Sequence, residues 1–221
     1  MGLRITFAAD MEVGPATGDF IEKYQTLFDK KLIYELRKGA PLLQMLDAPD
    51  DFVQGSTEPW IVDIVCALLK ANDKRTVLEC GSFIGATTER LARTLADMGG
   101  GTIVAVELGA ERAATAQARL EAANLPPTVD WKIVQQDVIQ YLKTLPDESV
   151  GFAFVDDCHE QPHVLEEISL LLPKMVPGGI VTGHDVHGSC NLKDVFEKFP
   201  NSLSLDLPRL GPAGGLGIIQ V

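Results

Sequence analysis

Residues Thr76 to Thr88, TVLECGSFIGATT, and the run Thr102 to Glu107, TIVAVE, constrain this chain more than any other stretch. A β-branched segment enters a turn with glycines at 81 and 85, and a helical pattern follows. The next β-like run then closes on an acid, Glu107, about 20 residues after Gly85. That order is the sequence pattern of a nucleotide-binding βαβ unit, in which the acid receives ribose hydroxyls. Two parallel strands joined this way need a crossover helix, so the pattern commits the chain to an α/β sheet covered on both faces.

The same turn discriminates between ligands. A dinucleotide site needs a second glycine two residues after the first, so that backbone can press against a pyrophosphate at the helix N-terminus. Phe83 stands there instead. A phenyl ring disfavours a pyrophosphate, whereas S-adenosylmethionine has none and offers an amino acid, a sulfonium and a ribose. Glu79, at the end of the strand, matches the ammonium of a methionyl group better than an anion. A nicotinamide-dependent oxidoreductase ranks last on this ground.

From Lys74 onward strands and helices alternate. Strands are expected at Thr76 to Cys80, Thr102 to Glu107, Val129 to Gln135, Val150 to Val155 and Gly179 to Gly183, with helices such as Ala86 to Asp97 and Glu111 to Ala123 between them. Ser202 to Leu207 and Leu216 to Val221 are joined by a Gly/Pro-rich link too short for a crossover helix, which predicts an antiparallel hairpin. The fold class is therefore a doubly wound, Rossmann-like α/β sheet, mostly parallel, with an N-terminal helical extension. Residues 1–72 form that extension and 73–221 the cofactor-binding domain. Within the extension, Asp19 to Lys38 has helical periodicity, Gly39 to Gly55 reads as a loop, and a second helix starts near Ser56 or Thr57 and runs to about Ala71. Such a segment can close over a ligand or form an oligomer contact.

Charge narrows the partners. A formal charge of −12 and a pI near 4.7, with 19 basic residues in no long stripe, disfavour a nucleic-acid substrate and favour a small-molecule acceptor. The longest near-continuous apolar run, Ile61 to Leu69, is broken by Asp63 and falls short of the roughly 20 residues of a membrane span. Cys66, Cys80, Cys158 and Cys190 lack zinc-pair spacing and disulfide density, which points to a reducing cytoplasm, with Cys66 and Cys80 as core residues.

All four histidines lie between 159 and 187, interleaved with acids: FVDDCH at Phe154 to His159 and GHDVH at Gly183 to His187. Asp156 closes the fourth strand and His184 with Asp185 closes the fifth, so adjacent parallel strands bring them to one sheet edge. Asp156, His184 and Asp185 could give O, N and O ligands to a divalent cation. His159, three residues past Asp156, is the candidate general base for an acceptor hydroxyl. His163 either supports it or faces solvent, and Asp157 and His187 read as solvated. The bland alternative is that these acids cap helices and orient histidines.

With these motifs the chain resembles the class I S-adenosylmethionine-dependent methyltransferases. Within them it is similar to the metal-dependent O-methyltransferases related to catechol O-methyltransferase and the macrolide-sugar enzymes. Gly39, Pro41 and Gln44 also resemble the approach segment of a cephalosporin-hydroxylase-like branch. The resemblance implies a seven-stranded sheet with a reversed last strand. It implies cofactor contacts at Glu79, Gly81, Ser82, Gly85, Glu107, Gln136, Asp137 and Asp156, with Gln136 and Asp137 near adenine. It places His159 at the general-base position and Asp156, His184 and Asp185 at the metal position. His184 replaces the usual carboxylate, which shifts preference from magnesium toward manganese, iron or zinc, or toward no metal. The expected activity is O-methylation of a small-molecule hydroxyl. The alternatives are a metal-independent methyltransferase for a carboxylate or nitrogen, or a non-catalytic cofactor-binding protein.

Overall fold

The computed structural model describes residues 55–210 and 212–221, so the helix expected over Asp19 to Lys38, nearly all of the loop after it and the Gly39, Pro41 and Gln44 resemblance lie outside the described residues. In chain order the elements are α1 (Pro59–Asn72), β1 (Thr76–Cys80), α2 (Ala86–Asp97), β2 (Gly101–Glu107), α3 (Ala110–Ala122), β3 (Val129–Gln135), α4 (Val138–Leu142), β4 (Val150–Val155), α5 (Gln161–Leu171), β5 (Met175–Gly188), α6 (Lys193–Phe196), β6 (Ser202–Leu205) and β7 (Ala213–Gln220).

One seven-stranded sheet has the order β3-β2-β1-β4-β5-β7-β6. Strands β1 to β5 run parallel, while β7 pairs antiparallel with both β5 and β6. The chain therefore starts mid-sheet at β1, winds outward to β3 and returns beside β1 as β4. That reversal opens a crevice at the C-terminal ends of β1 and β4, where open α/β sheets take ligands.

Burial explains the strand assignments. β4 is buried at all positions, as a central parallel strand with both faces covered must be. Its alternation sends Phe152 and Phe154 into one apolar layer with Trp60, Ile61, Leu69, Leu91 and Leu95, and Ala153 and Val155 into the other with Val164, Ile168 and Leu171. Truncating either phenylalanine to alanine would cost about 3–5 kcal/mol. Pro59 opens α1 at a position where its missing N–H is harmless, and the helix buries its Trp60, Ile61, Val65 and Leu69 face in the first layer. Cys66 and Cys80 are buried and free, as expected. Among the described residues no helix is long and apolar enough to cross a membrane.

The bounds of β5, β6 and β7 differ from the expected Gly179 to Gly183, Ser202 to Leu207 and Leu216 to Val221, and the end of β5 has a physical reason. β5 does not end at His184 and Asp185 but continues to Gly188, because β7 starts at Ala213 and pairs along it. The register breaks between His184 and His187, with Asp185 at φ 56°, so the expected strand end is an irregularity inside a strand that re-aims these side chains.

Candidate active site

The glycine turn brings the ends of β1 and β4 into contact. Gly81 has φ 89°, and a Cβ there would lie 2.4 Å from the backbone oxygen of Asp156. The Gly81 and Ser82 amides donate to the Val106 carbonyl, and the Asp156 amide to the Cys80 carbonyl. Gly85, at φ 80°, caps α2 and leaves no room for a side chain against Ala116. These two glycines thus let three strand ends and two helices converge.

Glu79 is fully buried in this convergence. Its Oε2 accepts from the Thr88 hydroxyl, but its Oε1 is buried with no hydrogen-bond partner, and the Ser82 hydroxyl is buried and unpartnered beside the same turn. Burial pushes the Glu79 carboxyl up to about 8, Thr88 pulls the other way, and the charges of Asp156 and Glu107 add to the rise. A buried carboxylate oxygen lacking a donor is suited to an ammonium ligand.

Glu107, at the end of β2, is buried and accepts from two backbone amides, Phe83 N at 2.9 Å and Gly109 N at 2.8 Å. Each oxygen retains a lone pair for a hydroxyl. The Phe83 ring lies under the Arg112 guanidinium, 5.2 Å from its centroid. Gln136 hydrogen-bonds the Glu107 carbonyl through its amide, and Asp137 caps α4 by accepting from Gln140 N. Leu108 stays exposed at the edge of this cleft.

Asp156, His184, Asp185 and His159 meet at the β4–β5 edge. His184 Nδ1 lies 3.3 Å from Asp156 Oδ1 and 3.4 Å from Asp185 Oδ1. His159 Nε2 lies 2.8 Å from Asp185 Oδ2 and 3.6 Å from Asp156 Oδ1. One ligand atom from each of Asp156, His184 and Asp185 lies within 4.8 Å of the other two. The donor set is two carboxylates and one imidazole, which fits a divalent ion tolerant of nitrogen.

Two further partners come from before β1. Glu58 Oε2 is 2.7 Å from His184 Nε2, Glu58 Oε1 accepts from Leu210 N, and the Thr57 hydroxyl donates to Asp156 Oδ2 at 2.7 Å. Glu58 and His184 are both buried. Sequence reasoning missed Thr57 and Glu58, which read there only as the opening of a helix. The Pro59 that starts α1 is the local signal, since it fixes these two residues just outside the helix.

The electrostatics follow from this crowding. Burial alone would raise Asp156, but the His184 charge and hydrogen bonds from His159, His184 and Thr57 hold its carboxyl well below the usual range. Burial would lower His184, yet the charge and hydrogen bond of Asp156, the Glu58 bond and Asp185 together raise it well above the ordinary imidazole value. His159 is pushed up to about 10 by Asp156 and Asp185, with burial opposing. By distance Asp185 is its closer partner.

Three further residues depart from a solvated reading. Asp157 and His163 are paired at 3.0 Å with side chains 14% and 27% exposed, so Asp157 is not a solvated acid and His163 takes it as its partner. His187 is half-buried rather than solvated.

Residues 78–186 match a family model described as a methyltransferase domain. Compared with curated proteins, the sequence finds no match. Among solved structures, the O-methyltransferase TomG of Streptomyces achromogenes, crystallised with SAM, is 18% identical, with a TM-score of 0.62 over 90% of this chain and 94% of that one. An O-methyltransferase from Bacillus cereus, in complex with SAH, is 18% identical over 92% and 97%, with a TM-score of 0.60. A SAM-dependent O-methyltransferase from Thermotoga maritima is 16% identical over 77% and 68%, with a TM-score of 0.58.

Proposed function

We propose that this chain, a class I S-adenosylmethionine-dependent methyltransferase, methylates a hydroxyl oxygen of a small molecule at the β4–β5 edge, with His159 as general base. The observation that carries the reading is the adjacency of two differently built sites. One is a buried, donor-poor cradle at Glu79 and Ser82, and the other is a cluster of acids and imidazoles at Asp156, His159, His184 and Asp185. Gly81 packs the first against the backbone of the second. That two of the similar solved structures are O-methyltransferases agrees with an oxygen acceptor.

When bound, S-adenosylmethionine supplies a methyl group on a positively charged sulfur. Glu79 Oε1 and the Ser82 hydroxyl would hold its amino-acid end, Glu107 would accept from its ribose hydroxyls, and Gln136 and Asp137 would take its base. A sulfonium needs little electrophilic help, so the chain's work is to orient the acceptor and remove its proton. His159 Nε2 takes that proton, and Asp185, 2.8 Å away, stabilises the resulting imidazolium.

The donor set of Asp156, His184 Nδ1 and Asp185 fits a divalent ion. Glu58 accepting from Nε2–H would fix the tautomer that turns Nδ1 toward it, an arrangement common behind metal-bound histidines. Such an ion, when present, supplies positive charge that makes an acceptor hydroxyl more acidic. A second reading has its own support. His184, raised well above its ordinary range among Glu58, Asp156 and Asp185, already places a cation at the cluster's centre, as a metal-independent methyltransferase would require. Within the segment 1–72, the described residues from Gly55 on border the acceptor cluster through Thr57 and Glu58.

The test is product formation. Purified chain with labelled S-adenosylmethionine and a panel of phenols, sugar alcohols, carboxylates and amines should label a hydroxyl compound, and chelation should remove most, not all, of the activity until a divalent ion is restored. Labelling only amines or carboxylates, or full activity in chelator, would move the assignment to the second reading. Binding of S-adenosylhomocysteine without turnover on any acceptor would leave a binding protein.

A further inference from the structure

Asp157, the residue after Asp156, turns away from the acceptor cluster and toward α5. There His163 and Glu167 stand one helical turn apart on a single face. Asp157 Oδ2 lies 3.0 Å from His163 Nε2, and one ligand atom from each of Asp157, His163 and Glu167 lies within 4.8 Å of the other two. Glu167 is fully buried, and both of its carboxylate oxygens are buried without a hydrogen-bond partner. A buried carboxylate is costly unless it is paired, bonded to donors or coordinated. Nothing in the methyl-transfer reading uses it.

We propose that Asp157, His163 and Glu167 form a second divalent-metal site, of the zinc type, separate from the acceptor cluster. One imidazole and two carboxylates are three protein ligands of the kind zinc accepts, with solvent or a neighbouring group completing the shell. The imidazole favours zinc over magnesium or calcium. His163 and Asp157 are partly exposed, 27% and 14%, so an ion can enter from solvent while Glu167 closes the inner side. Burial, then the Asp157 charge, pushes the Glu167 carboxyl well above its usual range, against the Cys80 thiol, which pulls the other way, and burial raises that adjacent thiol. Bound there, an ion clamps the end of β4 to α5 and so stiffens the segment 156–161, which carries His159.

The test counts ions on the full chain. After stripping with chelator, equilibrium dialysis against zinc should load one equivalent more on the wild type than on His163→Ala, whatever the acceptor cluster binds. Cobalt(II) in the Asp156→Asn variant should still give the visible absorption of a bound ion, and adding His163→Ala should abolish it. Zinc should also raise the melting temperature of wild type more than that of His163→Ala. Equal zinc stoichiometry in wild type and His163→Ala, or no cobalt spectrum in Asp156→Asn, overturns the proposal and leaves Glu167 a neutral acid beside Asp157. Glu167→Gln is a further variant if it folds. His163, partly exposed, carries the test if it does not.

Discussion

Glu58 Oε2 lies 2.7 Å from Nε2 of His184, joining the residue before α1 to β5 across 126 positions of sequence. Because that nitrogen faces Glu58, the other ring nitrogen faces Asp156 and Asp185. Glu58→Gln keeps an oxygen for Leu210 N but loses the charge that orients the ring. We expect divalent-ion affinity or turnover to fall about 10–100-fold with S-adenosylhomocysteine affinity unchanged. Glu58→Ala leaves a buried imidazolium short of a partner and should cost about 3–5 kcal/mol in urea unfolding. Wild-type turnover in Glu58→Gln would remove the pair from function.

Gly81→Ala tests whether the glycine turn serves chain packing. Its added Cβ would meet the Asp156 carbonyl at 2.4 Å, and a Cβ is fixed by its own backbone while the carbonyl belongs to the chain, so neither can rotate away. Left-handed backbone strain adds about 1–3 kcal/mol to that clash. The variant should unfold earlier and bind S-adenosylhomocysteine weakly. Unchanged melting would show that the two strand ends have slack.

His159 must be neutral to accept a proton, yet Asp156 and Asp185 hold it up to about 10. In chelator, kcat/KM should therefore climb with pH toward that value. A divalent ion engaging the same two carboxylates would move the climb to lower pH. His159→Ala should keep cofactor affinity while turnover drops about 10²–10⁴-fold. A pH profile indifferent to the metal would uncouple His159 from the cluster.

The same shift has a consequence for stability. His159 has a higher proton affinity folded than unfolded, where its pKa is about 6.5, so its contribution is complete below that value and disappears as pH rises through about 10. Metal-free wild type should lose stability relative to His159→Ala across that window, read from urea midpoints. A constant difference between the two would contradict the raised value.

The fold was legible because its signals are local. β-branched runs broken by glycine and helical periods gave Thr76–Cys80, Ala86–Asp97, Val129–Gln135 and Val150–Val155 directly. The length of β5 was not, since it depends on pairing with β7, and a register break around Asp185 has no sequence mark. Asp156, His159, His184 and Asp185 could be placed together because parallel strands align their ends. Thr57 and Glu58 could not, because no periodicity encodes the contact of a pre-helix residue with Asp156 or His184, 99 and 126 positions later. Asp157 looked solvated for a similar reason: its partner is on the next helix, and adjacency to Asp156 gives no direction.

Glu79 supplies the sharpest test of the cofactor cradle. Burial holds its carboxyl at about 8 against an ordinary value of 4.5, so at pH 7 most of the empty protein carries it protonated. An ammonium brought against Oε1 favours the ionised form, so binding at pH 7 must expel a proton, and affinity must rise with pH and level off above about 8. Calorimetry of S-adenosylhomocysteine binding at pH 7 in two buffers of different ionisation heat should report a release approaching one proton. Glu79→Gln should abolish the release and weaken binding by about 1.5–3 kcal/mol, the usual worth of a hydrogen bond to a charged group. At pH 9 the wild type should release almost none, because Glu79 is already ionised there. Buffer-independent heats at pH 7 would mean that the amino-acid end of the ligand does not meet Glu79, and the cradle would have to be placed elsewhere along the β1–β4 crevice.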